Sequence, residues 1–254
     1  MINTTYKNGA PNYQPNTKKK PVAISEVADR LPKEYRKNFL SELKKRSDNG
    51  KRKIRVYSDG CFDMFHFGHM RQMEQIKNMF PNIHLVVGVC SDKDIMENKG
   101  SGVMNNEERI EAIRHCRHVD EIFFPAPWSP TLAFMEKQKF DFIAHDTIPY
   151  LVPNEEDCYE DMKKQGRFLP TLRTEGVSTS DLLLRILKDR ERYYERNLKK
   201  GYTRKDLNLT YLEYLRVQMN GVMKNLKTCL KSQGGTENNA VDSDEDEDED
   251  QKSK

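Results

Sequence analysis

Two histidines three residues apart, His66 and His69, close the stretch Ser58-Asp59-Gly60-Cys61-Phe62-Asp63-Met64-Phe65-His66-Phe67-Gly68-His69. On a helix that spacing puts both imidazoles on one face. Gly68 between them has no Cβ, so a ligand can approach the backbone. The first amides of a helix there would point outward without partners and favour an anion. Phosphate binding is the chemistry this pattern fits. A metal pair or a plain helix cap would use the same spacing, but no acidic residue or third nearby histidine completes a zincin-type ligand set.

A second run, Arg173-Thr174-Glu175-Gly176-Val177-Ser178-Thr179-Ser180, again precedes a helix, whose apolar side is marked by Leu183, Ile186 and Leu187. Ser178 with Asp181 can form a capping pair, and a capped helix start alone would explain them. Arg173 and Gly176 add more, because a guanidinium makes two parallel bonds to an oxyanion while backbone amides and hydroxyls complete a cradle. Lys99 sits among glycines in Asn98-Lys99-Gly100-Ser101-Gly102, a setting in which a lysine is ordinarily a solvated loop residue.

The elements that must position these residues alternate. The short β-rich run Ile54 to Tyr57 precedes the first motif, and Met70, Met73, Ile76 and Phe80 recur behind it at helical spacing. The spacing predicts helix over 68–80, strand over 84–89, helix over 105–115 and strand over 119–124. It then predicts helix over 132–137, strand over 140–144, and helices over 157–165 and 180–195. Apolar strands separated by amphipathic helices specify an α/β, Rossmann-like parallel sheet with helices on both faces. Ligands of such sheets sit beyond the carboxyl ends of the strands, where residues 59–69, 90–99, 126–128 and 145–150 fall.

Domain boundaries follow composition: an N-terminal extension over 1–50, partly disordered, with a short helix near Leu31 to Leu43; a catalytic body over 51–206; an amphipathic helix over 207–233; and a disordered acidic tail over 234–254. Leu207, Leu212, Leu215, Met219, Val222, Leu226 and Cys229 give that helix its three-to-four spacing. In the tail, Asp242 to Asp250 supplies eight acids around Ser243, so the formal charge of +3 conceals a more basic body. A basic body suits phosphorylated substrates, anionic lipid or nucleic acid equally, but no aromatic-basic RNA motif is present, and a nucleic-acid partner is not expected.

With 36% hydrophobic and 33% charged residues, 254 residues suffice for one core with solvated appendages. Cys61, Cys90, Cys116, Cys158 and Cys229 show no paired spacing, and no signal segment opens the chain, so a cytoplasmic, reducing location is expected. Lys18-Lys19-Lys20-Pro21 and the basic run 44–53 leave nuclear entry open. No stretch reaches the roughly 18 apolar residues of a spanning helix, which limits membrane association to weak peripheral contact.

From about Arg55 to Leu207 the chain resembles the choline-phosphate cytidylyltransferase family. The resemblance rests on the two motifs above and on Val87-Gly88-Val89-Cys90-Ser91-Asp92, Glu108-Arg109, His115-Cys116-Arg117, Val119-Asp120-Glu121, Ala126-Pro127-Trp128, Ala144-His145-Asp146 and Ile148-Pro149-Tyr150. It implies that Cys61, Phe62, His69, His145, Asp146, Tyr150, Arg173, Thr174 and Val177 surround CTP, with Thr179 at the phosphate-facing helix start. It makes His66, His69, Lys99 and Arg173 the catalytic set, with Lys99 bridging the phosphocholine phosphate and the α-phosphate of CTP. Choline's ammonium has no N–H to donate, so it needs aromatic faces and a nearby negative charge, for which Trp128, Tyr150 and Asp146 match the family's box. Without the resemblance, Trp128 would pass as core filler and Tyr150 as a turn anchor.

The implied partners are CTP and phosphocholine, the implied cofactor is Mg²⁺ with Asp63 as an indirect ligand, and the implied assembly is a homodimer. Ethanolamine-phosphate and glycerol-3-phosphate cytidylyltransferases are the enzymatic alternatives, and Cys61 is reminiscent of the former. A noncatalytic nucleotide-sensing or membrane-surface module is the alternative outside enzymes. Leu172, where the family often has glutamine, and Thr147, where it has an acid, are departures. Only the helix from Leu207 to Leu230 stands where animal members carry a long lipid-responsive region, so little lipid activation is expected.

Overall fold

The computed structural model describes residues 22–48, 52–148 and 157–233. Helices α1 (Ile24–Asp29) and α2 (Lys33–Ser47) lead into β1 (Ile54–Gly60), α3 (Phe67–Lys77), β2 (Ile83–Cys90), α4 (Asp92–Asn98), α5 (Asn106–Arg114) and β3 (Glu121–Ala126). There follow α6 (Leu132–Lys137), β4 (Phe142–Asp146), α7 (Glu160–Lys164), β5 (Phe168–Thr171), α8 (Thr179–Lys188), α9 (Arg190–Lys199) and α10 (Tyr211–Gln233). The chain forms two compact units, one ending at Leu182 and one beginning at Leu183.

In the first unit the five strands form one parallel sheet in the order β3-β2-β1-β4-β5. Strand order reverses at β1, so the crevice between the carboxyl ends of β1 and β4 is the switch point where ligands bind in such sheets. Buried residues run almost without interruption along β1, β2 and β5, which requires cover on both faces, as the apolar runs led one to expect. β3 is the exposed edge strand.

An aromatic cluster fills one side of the sheet. Tyr57 stacks on Phe140 at 4.7 Å and meets Phe134 and Phe123 edge-on at 5.3 and 6.3 Å. Gly88 on β2 makes room for it, because a Cβ there would stand 2.1 Å from the Tyr57 hydroxyl.

Residues 22–48, within the N-terminal extension read from sequence, pack into this core. Val27, Leu31, Phe39 and Leu43 are buried in the same apolar cluster as the sheet. Each such side chain contributes roughly 1.5–3 kcal/mol on burial, more than a solvated arm could forgo. Polar bonds reinforce the fit: Tyr35 Oη donates to Glu160 at 2.6 Å, Asn38 Nδ2 to the Lys164 carbonyl at 2.8 Å and Arg30 Nη1 to the Pro170 carbonyl at 3.3 Å. Gly166 closes the joint with a left-handed φ of 69°, and a Cβ there would stand 2.3 Å from the Asn38 carbonyl carbon.

Element boundaries shift elsewhere too, as in β4, which spans Phe142–Asp146 rather than 140–144. The predicted helix over 180–195 is two helices divided at Asp189. Strand β3 starts at Glu121 rather than 119, because the Asp120 carboxylate is drawn aside to accept from Leu85 N at 2.7 Å and Lys77 Nζ at 2.7 Å. The predicted C-terminal helix begins at Tyr211 rather than 207, where Thr210 and Glu213 form a reciprocal cap.

Within the second unit Glu191 joins α9 to α10, accepting from Arg216 at 2.9 Å and Asn220 at 3.2 Å. The apolar row Leu212, Met219, Val222, Leu226 and Leu230 of α10 is exposed. Among the described residues no helix is long and apolar enough to cross a membrane. The acidic run with Ser243 and the basic cluster 18–21 lie outside the described residues.

Candidate active site

The carboxyl end of β1 turns sharply into α3. Phe62 and Met64 hold left-handed backbone, φ 54° and 48°, a strained state for bulky side chains that a turn keeps only when its surroundings fix it. Phe62 is fixed by burial, its ring edge-on to His69 at 5.4 Å.

Two further groups secure the turn. Arg109, with no exposed surface, donates from Nη1 to the Cys61 carbonyl at 2.8 Å, from Nη2 to Asp92 Oδ1 at 2.7 Å and Asn106 Oδ1 at 2.9 Å, and from Nε to the Met104 carbonyl at 3.3 Å. The Asp63 carboxylate accepts from the amides of Met64, Val103 and Met104 at 3.1, 3.0 and 2.8 Å. Asp63 therefore ties the far end of the Lys99 loop to the turn. Both its oxygens thus serve backbone amides, and among the described residues no group of three or more His, Cys, Asp or Glu could hold a metal ion.

His66 is the N-cap of α3. Its Nδ1 accepts from Gly68 N at 3.1 Å, and His69 Nδ1 accepts from His66 N at 3.3 Å. The rings stack 3.9 Å apart. Burial lowers the pKa of both; in His69, burial and then the neighbouring His66 bring it to about 3. Both imidazoles are therefore neutral at neutral pH. Since each Nδ1 accepts, each proton resides on Nε2, which leaves two N–H donors for an incoming oxyanion.

His69 titrates near 3 when folded against about 6.5 unfolded, so its contribution to stability is fully present above pH 6.5 and is lost as pH falls toward 3, at up to ~1.4 kcal/mol per pH unit. We expect ¹⁵N NMR at pH 5 to find the His69 ring neutral; a protonated ring would contradict the assignment.

The second motif meets the first. A Cβ on Gly68 would stand 2.9 Å from the His66 ring and 3.0 Å from Val177 Cγ1, so glycine lets the two motifs pack. Thr179 Oγ1 donates to the Asp63 carbonyl at 2.9 Å, and Ser178 Oγ accepts from Asp181 N at 3.0 Å, the capping pair read from sequence. Thr174 is half-buried, and Arg173 is exposed and close enough to Asp146 to help lower its pKa.

On β4, His145 stacks on Tyr159 at 4.9 Å with its Nδ1 3.6 Å from Asp146 Oδ1. Burial works against charge on His145, but Asp146 and Asp59 outweigh it and raise its pKa. Burial likewise works against charge on Asp146, but the neighbouring His145 outweighs it and lowers the carboxyl's pKa. Beneath it, buried Asp59 accepts from Tyr159 Oη at 3.2 Å.

Lys99, at the C-cap of α4, sets its ammonium 5.6 Å above the Trp128 ring and also reaches the Cys61 thiol and the neighbourhood of His69. Cys61, Phe62, His66, His69, Lys99, Trp128, Val177 and Thr179 thus gather around one turn, with His145 and Asp146 at the neighbouring strand end. Tyr150 lies outside the described residues.

Sequence reasoning assigned no role to Asp59, Tyr159, Arg109 or Cys90. Asp59 announced itself as an acid within an apolar strand, and Arg109 and Cys90 stood inside matching blocks. The linking work of Asp63 had no local signal, because its partners lie on a distant loop.

A doubly covered parallel sheet with paired phosphate motifs at its switch point defines a nucleotidyltransferase-type site. The profile of the cytidylyltransferase-like family matches residues 57–185, and the chain belongs to that family. The protein named "Probable choline-phosphate cytidylyltransferase" in Schizosaccharomyces pombe is 49% identical over 181 residues, 71% of this chain and 50% of that protein. Choline-phosphate cytidylyltransferase A of Homo sapiens is 42% identical over 207 residues, 79% of this chain and 56% of that protein. For the choline-phosphate cytidylyltransferase of Saccharomyces cerevisiae the identity is 41% over 210 residues, 83% of this chain and 50% of that protein. The chain spans about half the length of the curated relatives it matches.

Proposed function

We propose that the chain transfers the cytidylyl group of CTP to phosphocholine, giving CDP-choline and pyrophosphate for phosphatidylcholine synthesis. The observation that carries this reading is the Lys99 ammonium over the Trp128 ring at the rim of the phosphate-binding turn. A cation already rests on the aromatic face beside the anion site, which is the juxtaposition that a zwitterionic phosphate ester needs. The names of the relatives point to the same substrates.

In this reading the triphosphate accepts from His66 Nε2 and His69 Nε2, while Arg173 and Lys99 supply positive charge. A phosphocholine oxygen attacks the α-phosphorus in line; the new P–O bond forms as the bond to the β-phosphate bridge breaks and pyrophosphate leaves. The nucleophile is already anionic, so positioning and charge neutralisation suffice without a general base. Lys99 exchanges the Trp128 face for the phosphate as choline's trimethylammonium takes its place, with Asp146 and Tyr150 completing the box. His145, Thr174, Val177, Cys61 and Phe62 line the nucleotide side. Mg²⁺ belongs to this reading as the counter-ion of CTP, where it would offset the charge of the triphosphate, with Asp63 as its indirect ligand. A homodimer and weak peripheral membrane contact complete the proposal, in a cytoplasmic setting.

The test supplies CTP and Mg²⁺ with phosphocholine, phosphoethanolamine and glycerol-3-phosphate separately and measures pyrophosphate. Phosphocholine should be preferred; preference for either other acceptor would reassign the substrate, and no release with any would remove the reading. Trp128→Ala should raise the phosphocholine KM by roughly 3- to 30-fold, the worth of one partly desolvated cation–π contact, with the CTP KM little changed. Equal losses for both substrates would argue against the division of roles.

A further inference from the structure

Cys61, which only lines the nucleotide side in the proposed transfer, belongs to a pair of free thiols at the turn. Cys61 directly follows β1 and Cys90 ends β2, and the register Gly60↔Val89 places the two at adjoining positions on neighbouring parallel strands. Neighbouring strands run about 4.8 Å apart, inside the roughly 4.4–6.8 Å separation of Cα atoms that a disulfide spans. Side chains at such positions of parallel strands stand on the same face of the sheet, and the two thiols are close enough for each to shift the other's pKa. Both are free thiols, Cys61 partly open to solvent and Cys90 buried beneath it.

We propose that Cys61 and Cys90 are a peroxide-sensitive thiol pair, Cys61 attacking a hydroperoxide and Cys90 resolving the product into a disulfide across the phosphate-facing ends of β1 and β2. The surroundings favour the division of labour. The hydrogen bond from Cys90, then the Lys99 ammonium and the Arg109 guanidinium, hold the Cys61 thiol below the ordinary thiol range against the opposing effect of burial. Thiolate character with partial exposure is what selects a cysteine for oxidation. Cys90 is pushed up, first by its hydrogen bond to Cys61 and then by burial.

The steps balance. The Cys61 thiolate attacks one peroxide oxygen; the S–O bond forms, the O–O bond breaks, and hydroxide leaves, giving a sulfenic acid. The oxidised Cys61 sulfur is now the electrophile beside Cys90. The Cys90 sulfur attacks the Cys61 sulfur, the S–O bond breaks, and the departing hydroxide takes the Cys90 proton as water. Two electrons pass from the thiols to the peroxide, and a dithiol such as dithiothreitol returns them. The disulfide would fasten the Cys61 turn to β2 and remove the thiolate beside Lys99, so reversible loss of turnover follows, a consequence that rests on the cytidylyltransfer reading.

The test treats the full chain with hydrogen peroxide, blocks remaining thiols with N-ethylmaleimide and maps peptides by mass spectrometry. A Cys61–Cys90 cross-linked peptide should form at peroxide levels that leave buried Cys116 and Cys158 alkylatable after denaturation, and dithiothreitol should abolish it. In Cys90→Ala, dimedone should label Cys61, at least about tenfold faster than Cys116. Oxidation of Cys61 no faster than of Cys116, or a sulfenic acid persisting in the unsubstituted chain without the cross-link, would overturn the proposal. The peptide map is independent of turnover, so it decides the thiol pair even if no cytidine-linked product is made.

Discussion

Lys99→Ala should lower turnover by roughly 10²- to 10³-fold, about 2–4 kcal/mol of transition-state stabilisation, while changing stability by less than about 0.5 kcal/mol. The two effects separate because backbone and side chain have different work. Lys99 N bonds to the Ile95 carbonyl at 2.8 Å and ends α4 whatever side chain it carries, whereas the exposed ammonium alone reaches Trp128, Cys61 and the His69 neighbourhood. A charge that meets two anionic reactants counts most when they are forced together, so kcat should fall more than the CTP KM rises. Near-normal turnover by steady-state assay would refute the role of Lys99.

Arg109→Met should destabilise the first unit by roughly 2–4 kcal/mol in urea unfolding, and the folded fraction should bind CTP poorly. Methionine keeps most of the stem but leaves the Cys61 and Met104 carbonyls without the guanidinium, while Asp92 and Asn106 still accept from each other's backbone amides. Asp92 remains nearly half exposed and stays hydrated, so the loss comes from the carbonyls and from packing rather than from a stranded charge. Unchanged stability, or lost stability with unaltered CTP binding, would show that Arg109 does not position the turn.

The sheet was largely legible because doubly buried parallel strands leave long apolar runs, as in residues 83–90. Strand β5 was not: Phe168-Leu169-Pro170-Thr171 is short and holds a proline, which argues against a strand unless its position at the edge of the sheet is known. Helix α4 escaped because only Ile95 of it is buried, although Ser91 capping Asp94 N was a readable start. The phosphate motifs were legible because glycine and histidine at a helix start have a local meaning. Arg109 and Asp63 act through loops brought near only by folding, and α1 and α2 looked like an arm because their few apolar residues match a surface that exists only once the sheet has formed.

The two margins of the sheet are treated differently. On one side α1 approaches β5, whose Pro170 has no N–H to offer and whose carbonyl already receives Arg30. On the other, β3 faces water but carries Pro125 and begins at Glu121, which is engaged by Arg55 and His84. Neither rim presents an unbroken row of donors to a passing strand, so the molecule resists growth into larger sheets by edge-to-edge aggregation despite a nearly continuous apolar interior.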